Sequence, residues 1–391
     1  MLEIIKKYSD QIKPYKVKNT WYDTRADKET RYYNYYKNKE GITLEEKERF
    51  AIELLKMSLE KSANPVVSCS FGIDSIITLY LTRKALIEMG KDASDVQVVW
   101  NDTLNEFQET RFFAKQIKDD WNLDLVITRP EKSLKRVIDD NGGVTSDYFF
   151  TRKGDRRKGV PLSEKCCGTL KHAPMRKAIK ASNWDLMING LRADESTQRL
   201  RAGLRDGEYF YSSAEWKAMV CRPILWFTEE DVWSYVFKYN VPYNPVYNNN
   251  YIIEYPDDSI LEDNLDLISF ARLKVQDLKD RKVNIVDKRQ AIILNSIEGF
   301  KISRPVRVGC MMCPIPIKYG YMEWIRKFYP KVFNAMVYNL GYGKAMLSMI
   351  PDEAKEEIKA FTGIDVNEET AVDHLKEILE AKPCTFDRFT M

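Results

Sequence analysis

From residue 65 to residue 191 the chain repeats one pattern: a short apolar run rich in β-branched residues, a polar turn, then a longer stretch with apolar residues at helical spacing. The runs "PVVSCS" (65–70), "VQVVW" (96–100), "LDLVIT" (123–128) and "LMINGL" (186–191) read as strands. Between them, residues 75–89, "NEFQETRFFAKQIKDDW", "EKSLKRVIDD" and "MRKAIKAS" read as helices. Strand–helix units of this length predict an α/β fold: a doubly wound, mostly parallel sheet with helices on both faces. In such sheets a ligand lies beyond the carboxyl ends of the strands, near the point where strand order reverses. The turns "SFGIDS" (70–75) and "NDT" (101–103) are therefore the expected places for a site.

The flanks read differently. "TRYYNYYKNKEG" (30–41) is basic and aromatic, a composition that can stack bases and touch phosphates. More often such a stretch is simply a solvated, partly helical arm. "TLEEKERFAIELLKMSLEKSA" is a helix with a Thr cap and acidic residues in its first turn. Beyond about residue 203, "RPILWFTEEDVWSYVFKYNVPYNPVYN" reads as a short strand, a capped helix and a Pro/Tyr-rich loop. Residues 250–300 are charged and read as mainly helical, and 318–382 as helical again. The expected organisation is a helical, basic arm (1–62), an α/β domain (63–248) and a helical C-terminal region (249–391).

At 391 residues, 44% hydrophobic and 30% charged, with net charge +3, the chain is globular in composition, and its charge alone announces no nucleic-acid binder. No run of about 18 apolar residues predicts a membrane span. The start, "MLEIIKKYSDQIKPYKV", is not built like a secretory signal, so a cytoplasmic location is expected.

In the first turn, Gly72 would let backbone approach a ligand, while Ser68, Ser70 and Ser75 supply hydroxyls beside Phe71. The following helix start favours anions. Asp74 would repel a phosphate unless Mg²⁺ or a Lys lies between, which points to a metal-bridged pyrophosphate. A Ser/Asp-capped turn is the plain alternative, and the G-K-[ST] ending of a Walker A loop is absent. Asp102 would support Mg²⁺ or an adenosine, or cap a helix. "NGLRADESTQRLR" puts Gly190, Arg192, Arg199 and Arg201 at or just past a strand end, where guanidinium forks suit sulfate or phosphate; a surface ion-pair cluster is the alternative.

Of the seven cysteines, Cys166 and Cys167 are adjacent, Cys310 and Cys313 form C-x-x-C, and Cys69, Cys221 and Cys384 stand alone. Four paired thiols in a cytosolic chain read as metal ligands. Adjacent thiolates can reach two irons of one cluster but crowd a single tetrahedral Zn²⁺, so an iron–sulfur cluster leads, with Zn²⁺ and buried apolar thiols as the other readings. Lys171 and His172 lie beside the first pair. Of the two histidines the other, His374, sits in a charged helix, so no Ser–His or Cys–His base is evident.

"SFGIDS" resembles the PP-loop, S-G-G-x-D-S, of ATP pyrophosphatases, with Phe71 for the first glycine, and its Ser-Phe-Gly resembles the loop of phosphoadenosine phosphosulfate (PAPS) reductases. "NDTLNEFQET" resembles the same superfamily's Asp-Thr…Pro-Glu-Thr segment, with Gln108 for proline. "CCGTLKHAPMRKAI", "NGLRADESTQR" and "RPILWF…VPYNPVY" resemble three more segments in the same order. The resemblance implies an adenine nucleotide alpha hydrolase-like fold. It implies a nucleotide site with Asp74, Ser75, Arg192 and Arg199 as catalytic or clamping residues. Ser68, Ser70, Phe71, Gly72, Asp102, Lys171 and Gly190 would contact the nucleotide. Cys166, Cys167, Cys310 and Cys313 would hold a [4Fe–4S] cluster, like that of adenosine phosphosulfate (APS) reductases or DNA-phosphorothioation enzymes.

Two activities follow from the resemblance. One is an ATP pyrophosphatase, with Mg²⁺, that activates an acceptor such as a nucleic acid for thiolation and takes sulfur from a donor such as a cysteine desulfurase. This reading is preferred, because "AKPCTFDRFTM" lacks the Glu-Cys-Gly-Leu-His tail of the alternative. That alternative is reduction of PAPS or APS to sulfite, with Cys384 as nucleophile and thioredoxin as reductant. A non-catalytic cluster-bearing nucleic-acid adaptor is a third reading. A homodimer is admitted and no membrane partner is expected.

Overall fold

The computed structural model describes residues 41–146, 162–206, 210–213, 216–249, 251–254, 257–280, 283, 285–303, 308–314, 316 and 321–378. Most of the aromatic N-terminal arm, and Cys384 with its tail, lie outside them. The chain forms two compact units, each assembled from separated stretches. One takes residues up to Asp102, Glu106–Arg129 and Ala173–Pro245; the other takes Thr103–Asn105, Pro130–His172 and Val246 onward.

The first unit is built on a six-stranded sheet: β1 (Pro65–Ser68), β2 (Gln97–Asn101), β3 (Leu125–Thr128), β4 (Leu186–Asn189), β5 (Phe210–Ser213) and β6 (Ala218–Cys221). Its order is β3-β2-β1-β4-β6-β5, with every pairing parallel except β5–β6. This is the mostly parallel, doubly wound fold the alternation predicted. Val66 and Val67 of β1 are wholly buried, as a central parallel strand requires, and each contributes about 1.5–3 kcal/mol through burial. Below the sheet, Val66, Val99, Met187 and Val220 pack with Met175, Ile179 and Trp184 of the Ala173–Ser182 helix region. The buried Asp185 carboxylate accepts from Ser62 Oγ (2.5 Å), Ala63 N (2.8 Å) and Asn64 N (3.0 Å), which ties the entries of β1 and β4 together.

The order runs outward from β1 through β2 to β3 on one side and through β4 to β6 on the other. The reversal point is thus between β1 and β4, and the loop after β1 opens there. The helix that follows this loop, Ile73–Glu88, packs on the helices Leu44–Lys61 and Glu229–Tyr239. Both packing helices start with a complete capping box, at Thr43/Glu46 and Thr228/Asp231. Glu48 joins all three helices by accepting from Lys84, Tyr235 and Tyr239.

Two stretches differ from their sequence reading. "RPILWF" is a turn, and the strand is the preceding "AMVC"; Pro223 has no N–H for a central ladder, so the chain turns at Arg222–Leu225 instead. The stretch read as mainly helical over 250–300 holds two strands of a three-stranded antiparallel sheet completed just beyond it, ordered β8 (Ile285–Val286), β7 (Tyr251–Glu254), β9 (Lys301–Ser303). Strands of two to four residues are too short for a period to register. They enclose a core of their own with Leu261, Ile268, Leu278 and Leu294 in the second unit. The helices between Tyr321 and Ile378 complete that unit around Trp324, Phe333, Met336 and Met346. Among the described residues no helix is long and apolar enough to cross a membrane.

Candidate nucleotide loop and four-thiol centre

The loop between β1 and the Ile73–Glu88 helix closes on one hydroxyl. Ser75 Oγ accepts from the Ser70 N–H (3.1 Å), lies 3.2 Å from Ser70 Oγ, and donates to the Gly72 carbonyl (2.9 Å). The left-handed residue of the turn is not Gly72, which sits at the N-cap with φ −79°. It is Phe71, with φ 58°, at the position where the PP-loop pattern has glycine. A non-glycine residue there costs on the order of 1–2 kcal/mol. What offsets the cost is full burial of the ring, edge-on to Trp100 (5.4 Å between centroids) and Phe113 (6.4 Å). The Phe71 carbonyl accepts from Asn244 Nδ2 (3.4 Å), which also donates to Thr110 Oγ1 (2.9 Å). The N-cap Gly72 makes no side-chain cap bond, and the positive end of the helix dipole at Ile73 favours an anion.

The exit of β4 meets this loop at Gly190. A Cβ there would stand 2.6 Å from the Asp74 carbonyl oxygen and 2.9 Å from Ser75 N, so only glycine permits the approach. Two residues on, buried Arg192 donates from Nε to Asp74 Oδ1 (2.7 Å) and from Nη1 to Asp194 Oδ2 (3.4 Å). Asp74, Ser75, Gly190 and Arg192, chosen from sequence, are thereby brought together. Arg199 pairs with buried Glu195. Ser68 is in the sheet, in register with Val99 and Asn189. Asp102, just past β2, is 2% exposed and faces two guanidiniums: Arg111 Nη2 donates to Oδ1 (3.0 Å) and Arg129 Nε to Oδ2 (3.3 Å). The Cys69 and Cys221 thiols are core groups that burial pushes up to about 11 and about 12.

In the second unit Cys166 and Cys167 end the helix Leu162–Cys167, and a π-turn, Gly168–His172, follows directly. Burial, and then the neighbouring thiols of Cys167, Cys310 and Cys313, hold the Cys166 thiol well above its usual range; Lys171 pulls it partly back. The thiols of Cys167, Cys310 and Cys313 therefore all lie within electrostatic reach of Cys166. They are not closed around one point: among the described residues no three His, Cys, Asp or Glu side chains form a single-ion cage.

The C-x-x-C turn is held at successive backbone groups. Cys313 N donates to the Cys310 carbonyl (3.2 Å), Met311 N to the Asn105 carbonyl (2.7 Å), Tyr342 Oη to the Met312 carbonyl (2.7 Å) and Tyr321 Oη to the Met311 carbonyl. Both tyrosines are buried, and burial, followed by the field of the Cys313 thiol, holds their phenols well above the ordinary range. Cys310 Sγ donates to Thr103 Oγ1 (3.4 Å). Thr103 and Asn105 lay in a segment the sequence singled out only for Asp102, and Asn244 lay in the recognised "VPYNPVY". No sequence signal marked Tyr321 or Tyr342.

A parallel sheet whose reversal point carries a hydroxyl-rich loop and an uncapped helix start defines a nucleotide-binding α/β fold. Residues 64–316 match the phosphoadenosine phosphosulfate reductase domain, and the chain belongs to that family. An adenosine 5′-phosphosulfate reductase of Lysinibacillus sphaericus is 27% identical over 214 residues, covering 54% of this chain and 80% of that protein. One from Staphylococcus epidermidis is 28% identical over 213 residues, covering 54% and 76%. Among solved structures, a PAPS reductase from Candida auris in a phosphate complex aligns with TM-score 0.36 and 16% identity, over 53% of this chain and 91% of that one. The U34-tRNA thiolase NcsA from Methanococcus maripaludis, with its [4Fe–4S] cluster, aligns with TM-score 0.34 and 13% identity, over 51% and 64%. The strand order, and not these superpositions, defines the fold.

Proposed function

We propose that this chain acts on a sulfonucleotide, APS or PAPS, whose phosphosulfate is bound at the Ser70–Ser75 loop and reduced to sulfite. One observation carries the choice over ATP: the carboxylates that sequence reasoning enlisted for Mg²⁺ already face guanidiniums, Asp74 that of Arg192 and Asp102 those of Arg111 and Arg129. A Mg²⁺-bridged pyrophosphate asks for carboxylate ligands. A phosphosulfate asks for positive potential without a metal, which the N-terminal end of the Ile73–Glu88 helix and the buried Arg192 guanidinium beside it offer. Membership in the PAPS reductase family and the APS reductase relatives support the same reading.

In this reading the loop N–H groups orient the anhydride and Arg192 holds Asp74 and the helix start in place. A thiolate attacks the sulfur atom, the S–O bond breaks, and its electron pair leaves on the phosphate oxygen of the nucleotide. A second thiol, such as that of thioredoxin, then releases sulfite and forms a disulfide. Cys384, the nucleophile expected from the resemblance, lies outside the described residues.

Cys166, Cys167, Cys310 and Cys313 would hold the [4Fe–4S] cluster. They fit it in donor chemistry, four soft thiols of which three act on Cys166, and a buried amide with no acceptor, Asn105 Nδ2, belongs to the residue whose carbonyl meets the C-x-x-C turn. When bound, the cluster supplies a charged, redox-active centre beside Lys171.

The second reading, an ATP pyrophosphatase that activates an acceptor for thiolation, is favoured by the tail "AKPCTFDRFTM", where Cys384 has neither the Gly nor the His of the reductase tail. Anaerobic purification with iron and sulfide analysis, then incubation with ATP, APS and PAPS, separates the readings. Sulfite from a sulfonucleotide, lost in Cys384→Ser, is the expected result. Pyrophosphate from ATP, lost in Asp74→Ala with Cys384→Ser silent, overturns it. Neither product would leave the adaptor reading.

A further inference from the structure

The segment Thr103–Leu104–Asn105 belongs to the second unit although it follows directly on β2 in sequence. Leu104 adopts φ 63°, and its side chain is 50% exposed, while Thr103 and Asn105 on either side are buried. The reversed backbone at Leu104 thus turns its two neighbours inward. Both lie on the C-x-x-C turn: Thr103 Oγ1 accepts from Cys310 Sγ, and the Asn105 carbonyl accepts from the N–H of Met311, the residue after Cys310.

Asn105 is 7% exposed, and its Nδ2 is sealed from solvent without an acceptor. A buried donor left without a partner is destabilising, so a chain that keeps one at such a place has a use for it. As a thiol, Cys310 is a donor and offers the amide little. As a metal-bound thiolate it carries no S–H. Its sulfur becomes an acceptor, the bond to Thr103 reverses so that Oγ1–H donates, and the sulfurs of the centre present lone pairs to the surrounding N–H groups.

We propose that Asn105 Nδ2 donates to a sulfur of the iron–sulfur centre, making Asn105 a positioning residue that sets the electron density on that sulfur. This rests on the assignment of Cys166, Cys167, Cys310 and Cys313 as ligands. Hydrogen bonds to cluster sulfurs withdraw charge and tune reduction potential, so Asn105 would stabilise the reduced form.

The test is resonance Raman spectroscopy of the anaerobically purified, loaded full-length chain, wild type and Asn105→Leu, a change close in volume that removes both amide protons. In the variant the Fe–S(thiolate) stretching bands are expected to shift to higher frequency, at unchanged iron and sulfide per chain. The midpoint potential is expected to shift to a more negative value. Bands and potential identical to wild type would overturn the contact while leaving the four-thiol assignment intact. Wild-type protein without iron and sulfide would remove the assignment itself. Should Asn105→Leu fail to fold, Asn105→Asp decides: it keeps the shape and replaces the Nδ2 donor by an oxygen, the same band shift is expected, and bands at the wild-type frequencies overturn the proposal.

Discussion

The loop after β1 and the C-x-x-C turn are both tight turns with chemistry at their tips, and they are held by opposite means. The loop's hub, Ser75 Oγ, bonds residues no more than six positions away. Distant Asn244 and Arg192 brace a shape the local sequence already makes. The C-x-x-C turn shows a local bond, Cys313 N to the Cys310 carbonyl, but among the described residues it is also held from afar by Asn105, Tyr321 and Tyr342, with Thr103 on the Cys310 sulfur. A turn held locally announces itself as a motif. A turn held from afar shows in sequence only its reactive atoms.

The comparison breaks first at Phe71. Phe71→Ala removes a fully buried ring and keeps the left-handed backbone cost, so a loss of about 3–5 kcal/mol is expected in urea unfolding. Phe71→Gly removes the same ring and relieves the backbone, so it is expected to be more stable than the Ala variant by roughly 1 kcal/mol, the reverse of the usual order in regular structure. If Ala proves the more stable, the loop is not strained at that position and its local character is lost.

A smaller effect is expected on the other turn. Tyr342→Phe keeps the ring and deletes the hydroxyl that meets the Met312 carbonyl, at a cost of about 1–3 kcal/mol for the acceptor left behind. If the four thiols hold the proposed cluster, the accompanying signature is a faster release of iron to a chelator. An unchanged release rate would mean that the turn holds its shape without the distant phenol.

The smallest effect concerns the thiols. Cys69, in the loop, and Cys221 are held near 11 and 12 by burial, above the unfolded thiol value of 9.0, so the folded state favours the protonated form. At pH 8 roughly one Cys69 in a thousand would be thiolate, and an alkylating reagent applied to the native protein is expected to leave both residues unlabelled by peptide mapping. Because the folded pKa values are raised, the stability contributed by these two thiols is intact below about pH 9 and is lost as the pH rises toward their folded values. Labelling of Cys69 in native protein at pH 8 would show the loop opening to solvent.

Much of the first unit was legible in advance. Strand–helix alternation led to the parallel sheet, with β1–β4 found within two or three residues of the runs that announced them. "SFGIDS" and "NGLRADES" pointed to Asp74, Ser75, Gly190 and Arg192, which the structure brings together. Other parts were not legible. "RPILWF" looked like a strand because its side chains are apolar, and only the missing N–H of Pro223 argued otherwise. Strands β7 to β9 were too short to show a period. Asp102 was marked, but Arg111 and Arg129, which change what its carboxylate can do, were not, since a charged side chain on a helix or at a strand end carries no sign of where it points.

By itself the sequence determined the elements, the order that creates a reversal point at β1, and the identity of four thiols, because periodicity, backbone conformation and residue chemistry act over a few neighbouring residues. Only the tertiary structure decided which carboxylates are neutralised, that Phe71 and not Gly72 carries the left-handed turn, and that Thr103, Asn105 and two buried tyrosines serve the C-x-x-C segment. Those outcomes depend on contacts between residues far apart in the chain. Such contacts form only when burial of the surrounding apolar surface offsets the entropy of closing the long loops between them.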